Sequence, residues 1–317
     1  MIGTDLSIAK HHLEQGDVVG IPTETVYGLA GNALNPDAVL RIFQVKNRPA
    51  FDPLIVHTDA IDKVRSLVTE LPPLAETLAR TFWPGPLTLL LPKQTHIPDL
   101  TTSGLPRVAV RIPNHPLTLD LLRHLDFPLA APSANPFGYV SPTTAQHVAQ
   151  QLGGQVPYIL DGGPCGVGLE STIVGFDEAG EPTVYRLGGL ALEALEAAAG
   201  TSLQVRSHST SNPAAPGMLS SHYAPRKPVT LLTAEQAAGY VADPAAGALV
   251  FRAYLPGLPT ENQLRLSPTG DLTEAAKNLF SYLRRLDALP ISRLYAQLVP
   301  NEGVGRAIND RLRRAAA

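Results

Sequence analysis

The feature that most constrains the fold is a break in a regular pattern of short apolar segments. Residues 205–227, VRSHSTSNPAAPGMLSSHYAPRK, are rich in Ser, Pro, His and Ala and show no apolar periodicity. On both sides of this stretch, apolar runs alternate with amphipathic segments that end at Gly or Pro. We therefore predict a domain of residues 1–204, a linker of residues 205–227 and a smaller domain of residues 228–317. A chain of 317 residues is long enough for two cores.

After the linker, strand-like and helix-like segments alternate one by one. The predicted strands are VTLLT, ALVFRA and RLYAQLV, and the predicted helices are EQAAGYV, LTEAAKNLFSYLRRLD and GRAINDRLRRAA. This alternation is typical of a small α/β sandwich with a mainly parallel sheet. The first domain has more strands, and several follow one another without a helix between them, as STIVGF and TVYRLG do. That pattern predicts an α/β domain with a mixed sheet.

Composition excludes several classes of protein. A net charge of −3 gives no overall basic surface for nucleic acid. The single cysteine, Cys165, excludes a disulfide framework and a cysteine-based metal cluster, and the nine histidines show no paired metal-ligand spacing. No apolar run approaches the roughly 20 residues that cross a membrane, and the N-terminus has no signal-peptide core. We expect a soluble cytoplasmic protein without a membrane partner.

Two cations stand out in QVKNRPAFDPLIVH, residues 44–57. The ammonium of Lys46 and the planar fork of Arg48 together suit a polyphosphate or a carboxylate. Pro49 restricts the backbone of Arg48 to extended geometry, which helps to aim its side chain. A solvated helix end, with the cations near the negative end of the helix dipole, explains the pair equally well.

A second pair of cations lies in RVAVRIPNHP, residues 107–116. Arg107 and Arg111 alternate with apolar residues, so both face the same side of the predicted strand. If that side lines a cleft, they join the first pair, whereas a solvent-facing strand is the alternative. His57, at the end of another predicted strand, is a candidate hydrogen-bonding group or a structural residue.

Three polar loops follow or precede predicted strands. PTETVYGL, residues 22–29, places hydroxyls and a carboxylate where open α/β sheets bind ligands. APSANPFGYVSPTTA, residues 131–145, and DGGPCGVGLESTIV, residues 161–174, combine short polar side chains with glycines that permit close approach of the backbone to a ligand. Each loop taken alone is equally explained by ordinary turns and caps, and the glycines fit neither the Walker nor the dinucleotide pattern.

Together and in this order, these motifs resemble the family of two-domain threonylcarbamoyl-AMP synthases, whose catalytic part is a YrdC-like domain. The matching elements are PTETVYGL, KNRP followed by PLIVH, FWPGPLTLLL, VAVRIPNHP, APSAN followed by GYVSPT, GLESTIV followed by VYRLGGL, the linker APGMLSSHYAP and the C-terminal GVGRAINDRLRRAA. The resemblance implies a twisted mixed sheet with helices around a concave cleft, followed by the small α/β domain. It covers nearly the whole chain.

The resemblance also implies an activity. Members of the family are nucleotidyltransferases that convert L-threonine, bicarbonate and ATP, with Mg²⁺, into L-threonylcarbamoyladenylate and pyrophosphate. The product passes to the machinery that modifies adenosine 37 of tRNA. Direct binding of tRNA by this chain is left open, and so are two alternatives without this turnover, an RNA-binding module and a sensor of threonine or nucleotide. Carbamoyl transfer as in hydrogenase maturation is disfavoured, because those proteins carry additional cysteine-rich zinc elements.

Site residues follow from the same resemblance. It assigns L-threonine to Thr25, His57, Arg111, Ala131 (through its backbone) and Ser171. It assigns ATP to Lys46, Arg48, Asp52, Arg107, Ser133, Asn135, Ser141, Arg186, His222 and Tyr223. The last two would belong to a linker that closes over the nucleotide, and Lys46 and Arg48 would neutralise charge at the reacting phosphates. Mg²⁺ would be held through the phosphates of ATP.

The chain departs from the family pattern at two places. Asp52 stands where the family commonly has Asn, and a carboxylate there repels phosphate unless it faces Mg²⁺ or a cation. The linker reads Leu219-Ser220-Ser221 where many members have larger basic or aromatic residues, so we expect fewer contacts between the lid and the nucleotide.

Overall fold

The computed structural model describes residues 1–177, 180–206, 215–218, 222–241 and 243–317. The strands are β1 Ile2–Gly3, β2 Val19–Ile21, β3 Gly28–Asn32, β4 Ile55–His57, β5 Leu87–Pro92, β6 Arg107–Arg111, β7 Leu129–Ala130, β8 Tyr158–Leu160, β9 Thr172–Phe176, β10 Pro182–Arg186, β11 Gln204–Val205, β12 Val229–Leu232, β13 Ala246–Val250, β14 Gln263–Arg265 and β15 Arg293–Gln297. The helices are α1 Leu6–Glu14, α2 Pro36–Lys46, α3 Ile61–Leu67, α4 Pro73–Phe82, α5 Asp99–Thr102, α6 Pro116–Arg123, α7 Ala145–Leu152, α8 Leu192–Ala199, α9 Ala234–Ala238, α10 Leu272–Ala288 and α11 Gly305–Ala315, with a 3₁₀ turn at Thr260–Asn262. Among the described residues, none of these helices is long and apolar enough to cross a bilayer.

The strands form two separate sheets, one from residues 2–205 and one from residues 229–297. The first has eleven strands in the order β1-β8-β2-β3-β7-β4-β6-β5-β9-β10-β11 and mixes parallel with antiparallel pairs. The second has four strands in the order β12-β15-β13-β14, and every adjacent pair is parallel. Both results confirm the predicted fold class, a mixed α/β sheet followed by a small α/β domain.

Local sequence explains where the helices near the site begin and end. The side chain of Asn35 caps α2, and Pro36 occupies its first position, where no backbone N–H is needed. The same helix ends at Asn47, which adopts the left-handed conformation with φ 50°. Thr144 caps α7 by accepting from the backbone N–H of His147. These boundaries agree with the sequence pattern.

The large sheet has a core on each face. On one face, α2, α4 and α7 pack on residues such as Leu29, Val56 and Val110. On the opposite face, α1 and α6 cover one half of the sheet, while Ala215 and Met218 of the linker cover the other half. The cleft described below lies on this second face, at the edge of the part that the linker covers.

The second domain packs directly on the first. A single apolar cluster contains Val26, Val140 and Leu169 of the first domain together with Leu279 and Leu312 of α10 and α11. On the other face of the small sheet, α9 and the loop after β13 form a separate cluster. Helices α10 and α11 therefore both reach the first domain.

Short strands account for most differences from the predicted elements. β1, β11 and β14 have two or three residues each and carry no alternating pattern long enough to detect. β11 pairs in parallel with β10, so regular structure extends one residue into the segment predicted to be a linker from residue 205 onward. Residues 207–214 and 219–221 of that segment lie outside the described residues.

Candidate active site

A cleft of about 580 Å³, counting the space open to solvent, lies where loops from both halves of the large sheet meet the linker. Its walls come from the loop after β2, the ends of β4 and β6, the segment after β7, the residues before β9 and the linker. Most residues assigned above to threonine or ATP line it: Thr25, Arg48, His57, Arg111, Ala131, Ser133, Ser171, Arg186, His222 and Tyr223. The structure thus brings together residues that are nearly 200 positions apart in the sequence.

Arg111 and His57 lie side by side because β4 and β6 are parallel and pair these two residues in register. The guanidinium of Arg111 donates to Thr25 Oγ1 at 2.9 Å and to the carbonyl of Gly85 at 3.2 Å. Its Nη2 lies 2.6 Å from Glu24 Oε1, so the two side chains form a buried ion pair. The cation is therefore held rigidly at the ends of the two strands.

His57 is buried and neutral. Its Nδ1 donates to the carbonyl of Ile55 at 3.2 Å, because a carbonyl can only accept. Burial, reinforced by the neighbouring charge of Arg111, lowers the pKa of His57 to about 3. At neutral pH the ring therefore contributes hydrogen bonding and shape to the cleft rather than charge.

Thr23 closes a turn of the backbone, and Thr25 lies in the cleft wall. Thr23 Oγ1 accepts from the backbone N–H groups of Thr25 and Val26 at 3.1 and 3.2 Å and donates to the carbonyl of Val26 at 2.7 Å. These bonds close a tight turn, as the capping interpretation of this segment expects. The hydroxyl of Thr25 lies 2.8 Å from that of Thr23 and accepts from Arg111, which positions it in the cleft wall.

Ser171 and Arg186 form another part of the cleft wall. Arg186 donates to the carbonyl of Ser171 at 2.9 and 3.1 Å and to its hydroxyl at 3.0 Å. The same guanidinium donates to the carbonyl of Pro216 in the linker at 3.3 Å. Burial lowers the pKa of Arg186 to about 10, so it stays charged at neutral pH.

Lys46 is almost fully buried and does not line the cleft. Its ammonium donates to the carbonyls of Ser133 and Asn135, both at 2.5 Å. Burial, and secondarily the charge of Arg48, lowers the pKa of Lys46 well below its usual value. Lys46 thus shapes the loop that carries Ser133, and its direct contact with ATP stays a prediction.

Arg48 faces the cleft and is paired from behind by Asp52. Its Nη2 lies 2.9 Å from Asp52 Oδ2 and 2.8 Å from the carbonyl of Pro53, and its Nε donates to the carbonyl of Asp52 at 3.0 Å. Asp52 is fully buried and does not line the cleft. The carboxylate of Asp52, at a position where the family commonly has Asn, therefore pairs with the cation of Arg48. Because its charge is paired in this way, it is not expected to repel phosphate.

Three other residues assigned to ATP lie outside the cleft wall. Arg107 shares a strand face with Arg111, as the alternation predicts, but the two are four positions apart along the strand, about 13 Å. It donates instead to the carbonyl of Phe176 and the hydroxyl of Tyr185 at 2.9 and 3.1 Å. The amide nitrogen of Asn135 donates to Tyr139 O, and Ser141 donates to Glu170. Their assignments to ATP stay predictions.

Comparison with known proteins identifies the family. Residues 11–188 match the Sua5–YciO–YrdC family model, described as telomere recombination, and residues 190–317 match the model of the threonylcarbamoyl-AMP synthase C-terminal domain. The chain belongs to the two-domain threonylcarbamoyl-AMP synthase family.

Individual relatives agree over almost the full length. Threonylcarbamoyl-AMP synthase of Pyrococcus abyssi is 39% identical, with 98% of this chain and 93% of that protein covered. Its counterpart in Bacillus subtilis is 39% identical, with 96% and 90% covered. The crystal structure of P. abyssi Sua5 complexed with L-threonine is 38% identical and superposes with a TM-score of 0.90, covering 98% of this chain and 94% of that one.

The linker of this family member reaches the cleft through His222 and Tyr223. Tyr223 has a φ of 65°, is stacked on Phe280 of α10 at 5.6 Å and is almost fully buried. His222 packs edge-on between Phe137 and Tyr223, and burial lowers its pKa well below 6.5. The departure at Leu219-Ser220-Ser221 lies outside the described residues.

Arginines of the second domain support the cleft from behind, and sequence reasoning missed them. Arg311 in α11 lies 2.9 Å from Glu170 in the cleft wall. Arg284 in α10 donates to the carbonyl of Ser141 at 3.1 Å and to Gln151 Oε1 at 2.9 Å. Both guanidiniums are buried although their helices read as polar. Helical spacing puts both on the apolar face, because Arg284 follows Phe280 by four positions and Arg311 follows Ile308 by three, but a charged residue is ordinarily expected at the surface.

Proposed function

We propose that this chain makes L-threonylcarbamoyladenylate and pyrophosphate from L-threonine, bicarbonate and ATP, as a nucleotidyltransferase. The observation that carries the proposal is one cleft with two chemically different ends. Arg111, Thr25 and neutral His57 form the end built on the sheet, while Arg48 and Arg186 lie nearer the linker. The first end suits a small amino acid, and the second suits the phosphates of a nucleotide.

Threonine would occupy the end at β4 and β6. The relative solved with L-threonine supports this amino acid as the substrate. A carboxylate matches the donors of Arg111, and Ser171 and Thr25 offer hydroxyls for the polar groups of the ligand. The neutral ring of His57 adds no positive charge that would repel the amine of threonine.

ATP would occupy the end near the linker. Arg48 and Arg186 supply two guanidiniums there, and Ser133 adds a polar group from a loop that Lys46 holds in place. No cluster of three or more His, Cys, Asp or Glu suited to a metal exists among the described residues. Mg²⁺ would enter with ATP, since this ion is commonly held by substrate phosphates and water. When bound, Mg²⁺ would offset charge on the phosphates.

The reaction joins two anions, so charge is the main obstacle. The amine of threonine would take up bicarbonate to give an N-carboxylate and water, and a carboxylate oxygen would then attack the α-phosphorus. The bond from that phosphorus to the bridging oxygen would break, and pyrophosphate would leave. Guanidiniums held in a buried cleft stabilise developing negative charge. Fixing two reactants together can supply on the order of 7–11 kcal/mol. The covering linker would protect the mixed anhydride from water.

The product would serve the threonylcarbamoylation of adenosine 37 in tRNA, a cytoplasmic step. A net charge of −3 does not favour tRNA binding by this chain. We therefore place a separate transfer machinery downstream, with the activated threonylcarbamoyl group as the intermediate that passes between the two.

The test is pyrophosphate release from ATP and Mg²⁺, with threonine and bicarbonate omitted in turn. We expect release only when both are present, and much less when serine replaces threonine. Release without threonine would mark a different acceptor. Stable ATP in every mixture would contradict the proposed synthesis.

A further inference from the structure

One carboxylate lies in the wall of a cleft that is to receive a polyanion. Glu170 lines the cleft directly before Ser171, and its Oε1 accepts from the hydroxyl of Ser141 at 2.5 Å. Burial alone would raise the pKa of Glu170, but the charges of Arg311 and Arg186 outweigh it, so the pKa is lowered. Glu170 is thus ionised at neutral pH. Uncompensated, it would repel the phosphates of ATP.

The compensating charge comes from the second domain. Arg311 in α11 is fully buried, and its Nε lies 2.9 Å from Glu170 Oε2. Its Nη1 lies 2.5 Å from Asp310 Oδ2, and its Nη2 donates to the carbonyl of Leu187 at 2.8 Å. Arg311 is therefore held by partners on both domains, with Glu170 as its contact in the cleft wall.

The same guanidinium also contacts the neighbour of one further cleft residue, Arg186, and the ring of another, Tyr223. Leu187 follows Arg186, whose guanidinium bonds to Ser171. The ring of Tyr223 lies 4.8 Å from the guanidinium carbon of Arg311. A change at Arg311 would thus reach the cleft wall and the linker at once.

We infer that Arg311 is a positioning residue of the second domain that cancels the charge of Glu170 and fixes its orientation, so that the cleft can accept ATP. This inference rests on the proposed function, because ATP is the anion that the cleft is proposed to hold. It gives the second domain a specific role at the site, beyond packing against the first.

The experiment measures the dissociation constant of Mg²⁺-ATP by calorimetry for four forms of the full chain. Arg311→Gln removes the direct ion-pair partner of buried Glu170 and leaves only the more indirect charge of Arg186, so we expect ATP to bind at least about tenfold more weakly. Glu170→Gln/Arg311→Gln removes both charges, and we expect affinity within about threefold of wild type. A merely structural role for Arg311 would not be reversed by removing Glu170 as well.

Arg306→Gln is the matched control. Arg306 lies on the same helix and also pairs with the first domain, through Glu193, but this ion pair is exposed. We expect its ATP affinity to stay within about twofold of wild type. If Arg311→Gln does not fold, Arg311→Lys replaces it. The lysine keeps the charge but not the fork, so we expect near-normal ATP affinity and a kcat lowered at least about threefold.

The outcomes separate the inference from the proposed function. Equal ATP affinity in wild type and Arg311→Gln, or a double variant no better than the single one, would overturn the inference. If Arg311→Lys is the form tested, unchanged kcat would overturn it. ATP bound normally but never cleaved, in any mixture of threonine and bicarbonate, would overturn only the proposed function. A wild-type chain that does not bind ATP would overturn both.

Discussion

The end of α2 and the middle of α11 each bury a cation behind the cleft, and they give it opposite partners. Lys46 donates to two backbone carbonyls, and its pKa is lowered, first by burial and then by the charge of Arg48. Arg311 contacts the carboxylates of Glu170 and Asp310, and burial, which would lower its pKa, is outweighed by Tyr223 and these two carboxylates, so that pKa is raised. Carbonyls orient a charge without cancelling it, whereas carboxylates cancel it. The ammonium of Lys46 is thus oriented by backbone dipoles, whereas the charge of Arg311 is paired with carboxylates.

Removing the cation at the end of α2 should have the largest effect. Lys46→Met leaves the carbonyls of Ser133 and Asn135 without their donor and removes positive charge near the proposed phosphates. We expect kcat/KM for pyrophosphate release to fall at least about a hundredfold, as loss of a charge-stabilising donor commonly does. Lys10→Met, at an exposed ion pair on α1, is the control. Near-normal turnover of Lys46→Met would show that the reaction does not need a cation at this position.

Arg284 is a buried arginine of the second domain that, like Lys46, donates to backbone carbonyls of the first domain. It donates to the carbonyls of Val140 and Ser141 and to Gln151. Arg284→Met would leave these buried acceptors unpaired, and we expect unfolding free energy to fall by about 2 kcal/mol. Urea unfolding measures this, with the exposed neighbour Arg285→Met expected to change it by less than about 0.5 kcal/mol. Equal midpoints for the two variants would mean that Arg284 contributes little to holding the domains together.

His57 lies beside the cations of the first domain but is itself neutral at pH 7, because its pKa is lowered. Its pKa is about 3 in the folded protein, against 6.5 when exposed, so the unfolded chain binds the proton first as pH falls. The contribution of His57 to stability is complete above pH 6.5 and is lost progressively toward pH 3. We expect this residue to account for about 1 kcal/mol of the loss between pH 7 and pH 5.5.

Unfolding free energies at those two pH values, for wild type and His57→Gln, measure that contribution. His147, with a pKa lowered to about 4, acts in the same direction and is unchanged in the variant. The variant should therefore lose about 1 kcal/mol less than wild type over this interval. An equal loss in both proteins would mean that His57 is not held neutral by burial.

The fold was largely predictable from the sequence, because apolar periodicity and caps are local signals. The helix pattern predicts α10 and α11, and Thr144 marks the start of α7. Much of the cleft could also be anticipated from motif order. The buried arginines were not anticipated, because a charged residue is expected in solvent even when it lies beside the apolar face of a helix. Glu170 and the carbonyl of Ser141, both in the other domain, provide partners that allow Arg311 and Arg284 to be buried.

The smallest predicted effect concerns the residue between the two cations of the first domain. Asn47 ends α2 in the left-handed conformation, with φ 50° and ψ 42°, so the chain turns sharply between Lys46 and Arg48. That turn lets Lys46 point toward the carbonyls of Ser133 and Asn135 while Arg48 reaches the cleft. Asn47→Gly keeps the turn accessible, and we expect unchanged kinetics. Asn47→Ala should lower unfolding free energy by less than about 1 kcal/mol, because a Cβ without the Asn amide disfavours this conformation. A lower kcat/KM in Asn47→Ala but not in Asn47→Gly would show that the placement of Lys46 and Arg48 depends on this turn. A lower kcat/KM in both variants would assign a role to the Asn47 amide itself.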